Sequence, residues 1–245
     1  MTVGSLFAGI GGFDLGFERA GFQVKWQVEI DPFCLAVLEK HWPDVRRYED
    51  IRTVGAPNLE RVDVIVGGFP CQDVSSAGHR AGIDAGARSG LWREMARVVD
   101  ELRPGYVVVE NVSALLYNGL GRVLGDLAEV GYDAEWECLP ASSFGAPHRR
   151  DRVWIVAYPS EMLRDRVLFP GTLDAEGAAA WYQRIWAIIR ARRARHAPPA
   201  DFCKLRAADG LSGRLDELAA YGNAVVPQIT EWLARRILDA EGVRS

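Results

Sequence analysis

An α/β fold, a doubly wound and mostly parallel sheet with a small insert, is what the sequence predicts, on three observations. Short apolar runs alternate with amphipathic helical stretches over the first 159 residues, the pattern of layered strand–helix–strand units. The first run, Val3 to Phe7, breaks into Ala8-Gly9-Ile10-Gly11-Gly12 before a helical pattern begins. Strand, glycine turn and helix open a nucleotide-binding unit, although a lone Gly-x-Gly is weak evidence. The fourth run, Val62 to Val66, is apolar enough for a strand buried on both faces, and Gly67-Gly68-Phe69-Pro70 stops it.

The elements follow in order. Phe13, Gly16, Phe17 and Ala20 share one face of the first helix, and Gly21 ends it. The next strand, Val24 to Val28, ends at Glu29, the place where an acid usually holds a ribose hydroxyl. Glu29 is equally suited to starting the following helix, Pro32 to His41, which has proline in its first turn. Val45 to Tyr48 is a short third strand. Beyond it, Glu49-Asp50-Ile51 offers a carboxylate and an amide to an adenine edge, or only a solvated loop acid. A helix over Leu91 to Leu102 leads to a fifth strand, Tyr106 to Val109, which ends in Glu110-Asn111-Val112. A helix from Leu120 to Val130 stops at Gly131. Tyr132 to Leu139 and Arg152 to Tyr158 close the sheet, joined by a basic turn that includes His148 and Arg150.

Cys71 is the first residue past the fourth strand's turn that can act as a nucleophile. A polar, glycine-rich loop, Asp73 to Gly90, follows it. Ligands of such sheets bind beyond the carboxyl ends of the strands, so the thiol sits at the active edge. Taken alone, a cysteine after a buried strand is more often a core residue. Cys34, Cys71, Cys138 and Cys203 form no Cys-x-x-Cys pair, and the four histidines are scattered. That spacing argues against a zinc site and a disulfide framework, and suits a reducing cytoplasm.

No apolar run approaches the ~18 residues of a membrane span. The start, Met1 to Phe7, lacks the basic segment of a signal peptide. The net charge of −4 does not by itself suggest a nucleic-acid binder. Its distribution does: Ser160 to Leu215 holds ten Lys/Arg and six Asp/Glu, a net +4, which leaves −8 on the rest. Within it a helix, Ala178 to His196, has Trp181, Tyr182, Ile185 and Trp186 on its apolar side. Arg190, Arg192, Arg193 and Arg195 crowd its C-terminal end, where they also suit the helix dipole. Lys204 and Arg206 lie beyond Pro198-Pro199, and Tyr221 to Gln228 precedes a last helix, Pro227 to Ala240.

Together these blocks resemble the cytosine-5 DNA methyltransferases, in their compact bacterial or phage-type form. Phe7-Ala8-Gly9-Ile10-Gly11-Gly12 looks like the S-adenosylmethionine loop, Gly68-Phe69-Pro70-Cys71-Gln72 the nucleophile loop, and Glu110-Asn111-Val112 the second catalytic block. His148-Arg149-Arg150-Asp151-Arg152 is similar to the family's Gln-x-Arg-x-Arg block, with His for Gln, and Tyr221 to Pro227 to its closing Gly-Asn block. Five blocks in order are highly specific, and they cover residues 1–159 and 216–245. Two departures stand out. The stretch between Tyr158 and Tyr221 is short, and the Arg-x-x-Thr-x-Arg-Glu block that supports the target-recognition domain is missing.

The resemblance implies a sheet of the S-adenosylmethionine-dependent methyltransferase type. It implies a catalytic domain over 1–159, a small target-recognition region over 160–215, and a return to the catalytic domain over 216–245. The implied activity is DNA (cytosine-5-)-methyltransferase, as in restriction–modification systems. Cys71 would add to carbon 6 of a flipped-out cytosine, because carbon 5 is too weak a nucleophile unaided. Glu110 would serve ring nitrogen 3, Arg152 would hold the exocyclic oxygen, and Arg150 would add positive charge near the thiol. Phe7, Gly9, Gly11, Glu29, Ile30, Asp50, Ile51, Leu91, Asn223 and Ala224 would line the site of S-adenosylmethionine, which leaves as S-adenosylhomocysteine. Ser75 and Arg88, in the loop, would contact DNA. Arg190, Arg192, Arg193, Arg195, Lys204 and Arg206 would hold phosphates or read bases. The implied partner is double-stranded DNA, met by a metal-free cytoplasmic monomer with no membrane contact.

Three other readings compete. A transfer-RNA cytosine methyltransferase would use the same residues on another substrate. A catalytically silent DNA-binding homologue has no need of Cys71, Glu110 and Arg152. A nicotinamide oxidoreductase is suggested by the glycine turn alone, but Gly9-Ile10-Gly11-Gly12 lacks that fingerprint's last spacing.

Overall fold

The computed structural model describes residues 1–70, 90–146, 150–161, 168–169 and 224–243. Among them seven strands form one sheet, in the order β3-β2-β1-β4-β5-β7-β6. These are β1 (Thr2–Leu6), β2 (Gln23–Val28), β3 (Arg46–Tyr48), β4 (Val64–Gly67), β5 (Tyr106–Val112), β6 (Tyr132–Pro140) and β7 (Asp151–Pro159). The first five run parallel, and β7 lies antiparallel between β5 and β6. The predicted doubly wound, mostly parallel sheet is therefore present.

Alternation along the strands explains the two layers. Val3, Val64, Val66 and Val108 face a core built from α1 (Gly12–Arg19) and the last helix, α6 (Pro227–Ala240). Leu6, Ile65, Val107 and Val109 face the opposite core. That core is filled by α3 (Gly90–Leu102), the short α4 (Leu115–Asn118) and α5 (Leu120–Glu129). The remaining helix, α2 (Pro32–His41), packs Leu38 and Trp42 against Ala8. Asp31 caps α2 by accepting from the Cys34 amide at 3.0 Å, so the capping acid is Asp31 rather than Glu29.

Several element ends differ by a residue or two from the sequence expectation, β5 by three, and short turns appear that it did not include. β5 continues through Val112 because its pairing with β7 runs on to Val112–Arg152. Asp50 caps a 3-10 turn, Ile51–Thr53, and a second such turn, Ala141–Phe144, follows β6. Turns this short leave no periodicity to read.

The close seam between α1 and α6 depends on glycine. A Cβ on Gly16 would lie 1.8 Å from Thr230 Oγ1 and 2.6 Å from the Pro227 carbonyl. A Cβ on Gly12 would lie 2.4 Å from the Val225 carbonyl. The Thr230 hydroxyl in turn donates to the Gly12 carbonyl at 3.1 Å. The chain's last helix is thereby locked onto its first glycine turn. Leu168 and Phe169, from the expected recognition region, are also buried against this body. Their amides donate to the Glu135 carboxylate at 3.0–3.2 Å, and Arg236 donates to the Leu168 carbonyl.

Candidate active site

The strand order reverses between β1 and β4, and ligands of open α/β sheets bind at that switch. Leu6 pairs with Gly67, and Gly67 pairs with Val109. Register alone therefore sets three segments side by side at one edge: the glycine turn after β1, the loop after β4, and Glu110.

The turn after β1 has an unusual backbone. Phe7, Gly9 and Gly11 have φ of 53°, 55° and 85°. Glycine adopts that region freely, whereas Phe7 is held in it at a cost. A Cβ on Gly9 would meet nothing within 4 Å, so open space lies beside this turn. Gly11 is different, since a Cβ there would lie 2.4 Å from the Trp42 ring. The Glu29 carboxylate accepts from the amides of Gly9, Ile30 and Asp31 at 2.7–2.9 Å, which fixes it at the turn. Next to it the Ile30 side chain is 66% exposed, an apolar surface left in the open. Ala224 is half-buried, one residue before the Val225 that meets Gly12. An open left-handed turn, a fixed carboxylate and a bare apolar side chain fit a nucleoside with its ribose and ring face.

Asp50 is engaged by its own segment. Its carboxylate accepts from the Arg52 amide at 2.9 Å and pairs with the Arg52 guanidinium at 2.8 Å. Ile51 is buried, and Leu91, in the first turn of α3, is half-buried against the same core.

Glu110 is the buried acid of this edge. Its carboxylate lies 3.1 Å from Arg152 Nε. Burial pushes the Glu110 pKa above the usual carboxylate range, against the pull of Arg152 and Arg150. Strand pairing explains the contact: Glu110 is opposite Trp154, and Arg152 is two residues along β7 on the same face. Burial and Arg152 both lower the pKa of Arg150, whose φ of 35° is a second strained backbone among the candidate residues. A Cβ on Gly68 would come within 3.2 Å of Glu110 Oε2, so glycine lets the loop after β4 pass directly over the acid.

Two supports were not assigned roles from sequence. Asn111 donates to the Phe69 carbonyl at 3.1 Å and ties the loop after β4 to β5. Phe69 stacks on Trp92 with centroids 5.2 Å apart, and Trp92 Nε1 donates to buried Asp126 at 2.8 Å. Asn111 could have been singled out as a buried amide in an apolar strand. The Phe69–Trp92–Asp126 chain had no sequence signal, because its members lie on three elements.

Cys71, Asn223, Ser75, Arg88, Arg190, Arg192, Arg193, Arg195, Lys204 and Arg206 lie outside the described residues, as does His148. The described cysteines do not suit a nucleophile's role. Burial, with Glu29 and Asp31 nearby, pushes the Cys34 thiol up to about 12. Burial also raises Cys138, beside Glu137 and Asp151. Among the described residues no group of three or more His, Cys, Asp or Glu is placed to hold a metal, and no helix is long and apolar enough to cross a membrane.

Known proteins similar to this chain identify its family. Type II methyltransferase M2.BsuMI of Bacillus subtilis is 38% identical over 165 residues, covering 64% of this chain and 42% of its own. M.FnuDI of Fusobacterium nucleatum is 31% identical over 190 residues, covering 76% and 55%. The chain thus spans about half the length of these relatives. A prophage-encoded E. coli protein, described as a DNA modification methyltransferase, superposes with a TM-score of 0.55 at 30% identity, covering 65% of this chain and 47% of its own. DNMT2 of Spodoptera frugiperda shares the fold, with a TM-score of 0.56 at 21% identity over 66% of this chain and 50% of its own. The sequence profile described as C-5 cytosine-specific DNA methylase matches residues 1–177. A match over that much of the chain places it in the C-5 cytosine-specific DNA methylase family.

Proposed function

We propose that this protein is a DNA (cytosine-5-)-methyltransferase that acts on a cytosine flipped out of a short duplex sequence. The observation that carries this reading is the Glu110–Arg152 pair, 3.1 Å apart under Gly68 at the switch edge. A buried acid whose pKa burial raises, set beside a guanidinium, matches what a cytosine ring needs as a nucleophile adds to carbon 6. Glu110 donates to or protonates ring nitrogen 3, and Arg152 stabilises the exocyclic oxygen. Cys71, three residues beyond Gly68, is the nucleophile; its addition makes carbon 5 an enamine carbon. Once carbon 5 carries the transferred methyl group, loss of its proton restores the ring double bond and expels Cys71. Arg150 keeps the edge electropositive, which favours the thiolate.

S-adenosylmethionine is the cofactor, and when bound it supplies a methyl group on a sulfonium sulfur. Glu29 would hold the ribose, and the exposed Ile30 would offer an apolar surface to the adenine. Phe7, Gly9, Gly11, Asp50, Ile51, Leu91, Asn223 and Ala224 would line the rest of its site. Residues 1–159 and 216–245 form the catalytic body, and 160–215 supply recognition through their arginines and lysines. Phosphate contacts would carry most of the DNA affinity, and a target of roughly two to four base pairs suits so small a region.

The test is methylation sequencing of plasmid DNA from cells producing the chain, alongside trapping on duplex DNA containing 5-fluorocytosine. The expected result is one methylated sequence context and a covalent adduct that Cys71→Ala abolishes. Methylation by Cys71→Ala would remove the nucleophile assignment. Methylation of transfer RNA with none on plasmid DNA would move the proposal to the RNA substrate.

A further inference from the structure

We infer that Arg97 is a positioning residue for the cofactor pocket: it clamps the turn bearing Asp50 and Ile51 onto the helix bearing Leu91. The inference rests on the S-adenosylmethionine site proposed above. Leu91 and Arg97 both belong to α3, whereas Asp50 and Ile51 come from the segment after β3. Those two segments are more than 35 residues apart in sequence, so something must hold them in one geometry.

Arg97 does this from one guanidinium. Its Nη2 donates to the carbonyls of Ile51 and Val54, at 3.0 and 2.9 Å, the two ends of the 3-10 turn. Its Nε and Nη1 are held by Glu94 and Glu101, both at 2.8 Å, one turn to either side on the same helical face. The carboxylates fix the direction of the planar fork, so the carbonyls meet a preset donor. Glu101 also accepts from the Ala56 amide at 2.9 Å. A cation thus grips two carbonyls while an anion one turn away grips the next amide. Gly55 keeps the contact close, because a Cβ there would lie 2.0 Å from Glu101 Oε2.

The remaining bonds of the turn cannot replace this clamp. Asp50 caps it from within, and Asn58 bonds to Thr53 and Gly55, but those groups belong to the same segment. Among the described residues, the bonds of Arg97 and Glu101 are the hydrogen bonds that tie this turn to α3. Loosening them would leave the turn formed but displaced, which weakens cofactor binding more than the chemical step.

The experiment titrates S-adenosylhomocysteine into the wild-type chain, Arg97→Ala, Arg97→Lys and the control Arg103→Ala. Arg103, just past the end of α3, also reaches a distant carbonyl, that of Val130, which is no part of this turn. We expect Arg97→Ala to weaken binding at least about tenfold, the size of a lost charge-assisted pair. Arg97→Lys should recover part of the loss, and Arg103→Ala should stay within about twofold of wild type, the scatter of an uncoupled site. At saturating cofactor, kcat of Arg97→Lys should remain near wild type. Unchanged affinity in Arg97→Lys and Arg97→Ala overturns the inference. An equal loss in Arg103→Ala also overturns it, because affinity would then follow stability alone. Absence of binding by the wild-type chain overturns the cofactor proposal itself.

Discussion

Glu110 and Arg152 face each other at 3.1 Å, although each comes from a different strand and Glu110 is almost fully buried. Removing one partner of such a pair leaves the other charge uncompensated in a low-dielectric setting. The pair therefore links folding and chemistry, and the two can be separated by conservative substitution.

Glu110→Gln keeps the shape and loses the titratable proton. Turnover should fall by roughly the 10²–10⁴-fold of a lost acid–base group. Affinity for S-adenosylhomocysteine should change little, since Glu29 rather than Glu110 holds the glycine turn. Steady-state methylation rates and calorimetric titration check the two halves. Normal turnover with weakened cofactor binding would reverse the assignment.

Arg152→Ala should change the pH profile as well as the rate. Burial raises the Glu110 pKa, and Arg152 and Arg150 hold it down. Loss of Arg152 lets that pKa climb further. If Glu110 acts in its protonated form, activity declines as pH rises through its pKa. The alkaline fall of kcat should then begin at higher pH in the variant than in wild type, on a lower plateau. A fall that stays in place would mean another group titrates there.

Legibility in the sequence followed the range of the interaction. The helices Pro32–His41 and Pro227–Ala240 were readable to the residue because each begins with proline and keeps one apolar face. The glycine turn and Glu29 were readable as positions because each follows a strand, whereas Glu110 and Arg152, which lie within β5 and β7, were singled out only through the family resemblance. The partners were not. Asp31 rather than Glu29 caps α2, a choice made by side-chain direction. Asp50 is turned toward Arg52, which competes locally for its carboxylate. The Glu94–Arg97–Glu101 spacing was visible, but the Ile51 and Val54 carbonyls it serves are reached only through the fold.

The α1–α6 seam gives a stability contrast. Gly16→Ala would force a methyl into Thr230 and the backbone at Pro227. Backbone cannot rotate aside, so the loss should reach or exceed the ~1–3 kcal/mol usual for overpacking. Gly121 and Gly125, in α5, have open space where a Cβ would go. Alanine at either should stabilise by about 0.5–1 kcal/mol through helix propensity. Urea denaturation of the three variants measures the contrast, and a neutral Gly16→Ala would mean the seam can open without cost.

Asp14 sets a second pH dependence, in the core. It is fully buried in the first turn of α1, where Gln27 Nε2 donates to its Oδ1 at 3.0 Å. Its Oδ2, Ser5 Oγ and Gln27 Oε1 are buried with no hydrogen-bond partner. Burial raises the Asp14 pKa from 3.8 to about 6, outweighing the hydrogen bond from Gln27. The folded chain therefore holds this proton more tightly than the unfolded one. Its stabilising effect is complete below the unfolded value and is lost as pH rises through about 6. Asp14→Asn removes the charge and places an N–H₂ at the position of the unpartnered Oδ2, close to Ser5. At 1.36 kcal/mol per pH unit, the variant should be more stable than wild type by up to about 3 kcal/mol above neutral pH. The advantage should fall to about half near pH 5 and vanish toward the unfolded pKa. Denaturation of both chains at pH 8 and pH 5 gives the comparison. An advantage that does not shrink with acid would mean that Asp14 is not the group being titrated.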